Sequence, residues 1–104
     1  MKIQINTNES VEGDDALSRE AEGILDKALA RFSERITRVE VHLSDVNALK
    51  HGVDDKRCLL EARLAGLEPL AVSHQADTLH SAITGATEKL VRTLDSTLGR
   101  LSDR

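Results

Sequence analysis

Aromatic side chains are almost absent: Phe32 is the only one in 104 residues. The core must therefore be built from Leu, Val, Ile and Ala, and single-stranded bases find almost no ring surface to stack on. Cysteine is equally scarce. Cys58 stands alone, so no internal disulfide is available, and the opening MKIQINTNES has no apolar stretch of the kind that drives secretion. Both features predict a reducing cytoplasm. No apolar run approaches the roughly 20 residues that span a bilayer, so no membrane partner is expected. There is no glycine-rich phosphate loop and no G-x-S-x-G elbow. The four histidines, His42, His51, His74 and His80, lie on different predicted elements with no H-x-x-x-H spacing, and Asp54-Asp55 does not complete a calcium loop. Neither a metal site, a cofactor nor a catalytic centre is expected.

What is present is an ordinary globular hydrophobic fraction, 39%, with 14 Lys and Arg against 18 Asp and Glu, a formal net charge of −4. One domain spanning residues 1–104 is expected, since the length suits a single core and no repeat or linker divides it. The negative balance argues against the basic footprint usual in nucleic-acid binders.

Hydrophobic periodicity divides the chain into six elements. KIQIN, residues 2–6, alternates polar and apolar as a short half-buried strand. GDDALSREAEGILDKALARF reads as a helix, with Asp14 as N-cap and Leu17, Ala21, Ile24, Leu25, Ala28 and Phe32 on one face. ITRVEVHLSDV, residues 36–46, switches to period two: Val39, Val41 and Leu43 point inward, while Arg38, Glu40, His42 and Ser44 point outward. NALKHGVDD reads as a hairpin loop. KRCLLEARLAG repeats the strand pattern, with Cys58, Leu60, Ala62 and Leu64 inward, and PLAVSHQ is a fourth strand with Pro69 at its start. A second helix is predicted from Asp77 or Thr78 to near Leu101, with a seam of Leu79, Ile83, Ala86, Leu90, Leu94, Thr97 and Leu101. The order β-α-β-β-β-α predicts an α+β domain. Two helices cover the apolar face of a four-stranded sheet, as in double-stranded-RNA-binding domains, and the other face is wet.

RFSERITRVEVHLSD, followed by DKRCLLEARLAG and then SAITGATEKLVRTL, resembles the ribosome hibernation-promoting factor family. The family is also called ribosome-associated inhibitor A or sigma-factor modulation protein. The resemblance runs over essentially the whole chain, and its most specific pieces are FSERI before the alternating VEVHL and the run Ala82, Ile83, Lys89, Leu90. It implies a non-catalytic, cytoplasmic stress or stationary-phase protein. Such a protein binds the small ribosomal subunit and its ribosomal RNA near the decoding region, and silences idle ribosomes by occupying the messenger and transfer RNA channel. The chain looks like a short member, without the C-terminal dimerisation domain of long ones. It departs from the family in TLHSAIT, where His80 stands at a commonly aromatic position. It also has fewer bases along the second helix, where Asp95 and Asp103 interrupt Lys89, Arg92, Arg100 and Arg104.

At about 100° per residue, Lys89, Arg92 and Arg100 fall in one stripe of the second helix, facing away from Leu90 and Leu94. Lys27, Arg31 and Arg35 form a second stripe along the first helix. If the helices pack side by side, the two stripes border a shared surface suited to RNA phosphates, which attract Lys and Arg without needing aromatic rings. These six residues are the candidate RNA contacts; the plain alternative is a solvated helix face. Arg38, Arg57 and Arg63 on the outer sheet face are expected to pair with Glu40 and Glu61. The pleat separates Cys58 from His42, which removes a nucleophile pair. A second function class remains: a protein-interaction module that has lost ribosome affinity, binding a basic partner or associating weakly with itself through ITRVEVHLSDV, should that strand lie at a sheet edge. A continuous positive groove between the helices would favour RNA, and broken patches a protein partner.

Overall fold

A computed structural model of the chain describes residues 1–7, 15–45 and 56–102, with side chains described through residue 100. The element order is β1 (Lys2–Thr7), α1 (Asp15–Leu29), a 3-10 turn (Ala30–Phe32), β2 (Ile36–Asp45), β3 (Lys56–Leu64), β4 (Leu70–Ala76) and α2 (Leu79–Ser102). This is the β-α-β-β-β-α order that the periodicity predicts. Asp14, Val46 and the loop 47–55 lie outside the described residues.

The strands form one sheet in the order β1-β2-β3-β4. β1 runs parallel to β2, which requires the crossover that α1 supplies; β2, β3 and β4 are antiparallel neighbours. β2 is therefore interior, hydrogen-bonded on both sides. The condition set for self-association through ITRVEVHLSDV, that it lie at a sheet edge, is therefore not met: the sheet's edges are β1 and β4. A register shift between Ile36 and Arg38 adds one residue to β2. Ile36 and Val39, three apart, are consequently both buried, an exception to period two that a bulge produces.

α1 packs against β1, and α2 packs against β3 and β4. The buried core is aliphatic apart from Phe32, and runs from Ala21, Leu25 and Leu29 on α1 through Val39, Val41, Leu43, Cys58 and Leu60 to Ile83, Leu90 and Leu94 on α2. The seam of α2 ends differently from the pattern reading: Leu98 is buried and Thr97 is half-buried. Leu98 follows Leu94 by four residues and continues its row, whereas Thr97 falls to the side. Thr78 caps α2, accepting the backbone N–H of Ser81 on Oγ1 at 3.0 Å and that of Ala82 on its carbonyl at 3.0 Å.

Gly85 sets how closely α2 approaches β4. A Cβ at that position would lie 2.1–2.6 Å from ring atoms of His74. At Gly23, on α1, a Cβ would meet nothing within 4 Å. The two glycines therefore respond oppositely to alanine. Gly23→Ala should stabilise by about 1 kcal/mol through helix propensity. Gly85→Ala should destabilise by about 1–3 kcal/mol, because overpacking outweighs that gain. Adding His74→Ala should remove the penalty at residue 85, as read by urea denaturation of the two single variants and the double variant.

Candidate nucleic-acid interface

The buried seam of α2 fixes the rotation of the helix, and so the direction of every other side chain on it. Arg92 lies about 160° around the helix from both Leu90 and Leu94, and it is exposed at the crest. Arg100 is exposed one turn further on from Ser96, to whose Oγ it donates at 3.4 Å. Lys89 is half-buried and leans the other way: its Nζ donates to the backbone carbonyl of Ser73 on β4 at 2.9 Å. Three residues that the periodicity places in one stripe thus have two roles. Arg92 and Arg100 are open to a partner. Lys89 ties the helix to an edge strand, where a lysine also blunts pairing with another chain.

The second predicted stripe is split further. Lys27 is exposed on α1. Arg31 lies in the 3-10 turn, and Arg35 lies beyond it in the turn that enters β2, where its backbone N–H donates to the Phe32 carbonyl at 2.9 Å. These three do not form one side of a single helix, because the α-helix ends at Leu29. Arg31 crosses to α2, with Nη1 on Asp95 Oδ1 at 2.6 Å and Nη2 on Asp95 Oδ2 at 2.8 Å. Its guanidinium also stacks over the Phe32 ring, 4.2 Å from the centroid. The two hydrogen bonds hold the Asp95 carboxyl below the usual aspartate range and raise the Arg31 guanidinium. Both groups are exposed, so salt screens the pair and its contribution to folding is small. Its importance is geometric: both arms of the fork are occupied by a carboxylate.

At the other end of the helices, His80 contacts Glu20. Both cross-helix contacts show that α1 and α2 lie side by side and run in the same direction. The groove between them is lined by Ala28 of α1 and by Thr87, Glu88, Val91 and Arg92 of α2. Along that groove Glu88, Arg92 and the Arg31–Asp95 pair alternate in sign. The shared surface is therefore not continuously positive among the described residues; its basic character is concentrated on the crest of α2 at Arg92 and Arg100. Asp95 is the member that sequence reasoning missed as a partner. Arg31 and Asp95 are 64 residues apart, and no local pattern connects them.

On the sheet's outer face Arg38 donates to Glu40 at 3.1 Å and contacts Gln4, Arg63 lies 4.0 Å from Glu40, and His42 Nε2 lies 3.3 Å from Glu61. Arg38 and Arg63 meet Glu40 as expected, whereas the contact of Glu61 with His42 was not foreseen. Cys58 faces the core, and burial pushes its thiol up to about 12. It stays a neutral core thiol at physiological pH.

The profile of the sigma 54 modulation protein / S30EA ribosomal protein family matches residues 3–102. Among solved structures, the N-terminal domain of Protein Y from Thermus thermophilus superposes with a TM-score of 0.75 at 21% identity, covering 93% of this chain and 99% of that one. A ribosomal subunit interface protein from Coxiella burnetii superposes with a TM-score of 0.73 at 20% identity, covering 95% and 99%. A comparison with curated protein sequences returns no match. At these identities the superpositions establish the shared α+β fold.

The Arg31–Asp95 pair makes a direct prediction. Asp95 is charged at neutral pH, and its depressed carboxyl means that the stabilisation is present above the ordinary aspartate range and lost as pH falls through the lower, folded-state value. In an NMR titration the Asp95 carboxyl should change below the ordinary value in the native chain and return to it in Arg31→Ala. An unchanged midpoint in that variant would show that the pair does not persist in solution.

Proposed function

The chain belongs to the sigma 54 modulation protein / S30EA ribosomal protein family, and from that premise we propose that it is a ribosome-associated factor. It binds the small subunit through ribosomal RNA near the decoding region and acts by occupancy. A folded domain sits where messenger and transfer RNA must pass, which idles the ribosome without chemistry. The observation that carries the reading is the basic crest of α2, where Arg92 and Arg100 are exposed on the side opposite the core. Lys27 on α1 and Arg35 in the turn before β2 are also exposed and are the supporting candidates. An aliphatic protein with one aromatic meets RNA through phosphates and shape, and two guanidiniums on a rigid helix suit that mode. One of the superposed structures is described as a ribosomal subunit interface protein, which supports the reading. The place of action is the cytoplasm, and no described helix is long and apolar enough to cross a membrane.

Arg31 joins this surface only when Asp95 releases it. A phosphate competes with the carboxylate for the same guanidinium fork, so the acidic residue lowers affinity without changing the fold. The alternating charges in the interhelix groove favour one other reading, a module on the same fold that binds a protein partner.

Co-sedimentation with small ribosomal subunits over a salt series separates the two. Binding should weaken linearly in log–log form as salt rises. Reversing charge at Arg92 and Arg100 together should abolish binding, or reduce the salt slope by about two. Asp95→Asn should bind more tightly than the native chain at every salt concentration. No sedimentation with subunits even at low salt would overturn the ribosomal reading in favour of a protein partner.

A further inference from the structure

The outer face of the sheet arranges charge in rows across the strands. The registers set Lys2, Arg38 and Arg63 in one row, and Glu40 directly opposite Glu61 in the next. His42 follows Glu40 by two residues on the same face. Like charges directly opposite each other destabilise an antiparallel pair, and these carboxylates are partly withdrawn from water, with side chains 17% and 37% exposed. Arg38 donates to Glu40 Oε1 at 3.1 Å, and Arg63 Nε stands 4.0 Å from Oε2, beyond hydrogen-bond range. Glu61 has His42 Nε2 at 3.3 Å from its Oε1. That nitrogen is shielded from solvent yet makes no hydrogen bond. The contact is therefore one of proximity, without an aligned N–H···O bond. The His42 side chain as a whole is 39% exposed, and its shielded nitrogen has the Glu61 carboxylate beside it.

We propose that Glu40, His42 and Glu61 bind a divalent transition-metal ion of the zinc type. One donor atom from each of the three side chains lies within 4.8 Å of the others. Donors that share a tetrahedral zinc at about 2.0–2.2 Å are roughly 3.4 Å apart, so adjustments of about 1 Å per side chain close the site. Glu40 and His42 project from β2 and Glu61 from β3, the two interior strands, so the backbone beneath the ligands is held on both sides. One imidazole nitrogen and two carboxylate oxygens suit zinc; magnesium and calcium prefer all-oxygen shells. Water would complete the fourth position of a tetrahedral ion. Arg38 and Arg63 face the same cluster, and their charge lowers affinity for any cation, so the site is a modest one. The sequence alone hides it: E-x-H is not a helical ligand spacing, and the third ligand is defined only by the β2–β3 register. The inference does not depend on the ribosomal reading.

Isothermal titration of the full chain with Zn²⁺ should show one ion per chain. Co²⁺ should give visible absorption without a sulfur charge-transfer band, since Cys58 points into the core. His42→Ala and Glu61→Gln should each weaken Zn²⁺ binding by about 100-fold, with far-UV circular dichroism showing the fold retained. His51→Ala and His80→Ala should bind as the native chain does, and Mg²⁺ should not compete. Absence of Zn²⁺ binding at about millimolar concentration, or binding that survives His42→Ala, would overturn the proposal.

Discussion

The surface chemistry of this protein depends on how one helix is seated. α2 lays Ile83, Ala86, Leu90, Leu94 and Leu98 on β3 and β4, all at or near zero exposure. Each fully buried Leu or Ile contributes about 1.5–3 kcal/mol, so rotating the helix by one residue, about 100°, would expose most of that seam. The rotation is not negotiable, and every outward side chain inherits its direction from it. Gly85 allows the close approach, because the ring of His74 occupies the space a side chain would need. Lys89 closes the contact from outside by bonding to the Ser73 carbonyl. With the inner face so held, Arg92 is left at the crest and Asp95 is turned toward α1.

That division explains how a chain with net charge −4 keeps a basic face. Glu88 and Asp95 are turned to the interhelix side, Arg92 borders the same groove from the crest of α2, and Arg100 is exposed further along the helix. An acidic body with a small basic crest discourages indiscriminate attachment to nucleic acid and confines the positive potential to one place. The Arg31–Asp95 pair belongs to the same logic. It bridges the helices and occupies both arms of the Arg31 guanidinium, so one carboxylate withdraws a cation from the exposed basic charge.

Most of the fold was legible in the sequence, because period-two strands such as Val39, Val41 and Leu43 and the row Ile83, Leu90 and Leu94 each have one buried solution. The element order followed, and with it the family resemblance. What escaped was of three physical kinds. Strand order decides which strand is an edge, and β2 proved interior because β1, far off in sequence, pairs with it in parallel. A bulge moves a residue between faces, which is why Ile36 joins Val39 in the core. Long-range side-chain partners leave no local mark: nothing near Arg31 in the sequence points to Asp95, and nothing near Lys89 points to the Ser73 carbonyl. The candidate bases were therefore legible as a set, but not in their sorting into open, tethered and paired.

The claim that the outer face of α2 meets the ribosome is tested most directly by thiol accessibility. Cys58 is buried with its thiol raised to about 12, so a cysteine introduced at the surface is read without interference. Ser96 lies between Arg92 and Arg100 on the exposed face of α2, and Ala71 is exposed on β4. Alkylation of Ser96→Cys should slow by at least about tenfold when small ribosomal subunits saturate the protein, while Ala71→Cys reacts as fast as in the free chain. Protection at residue 71 with residue 96 still reactive would place the contact on the sheet and contradict the account.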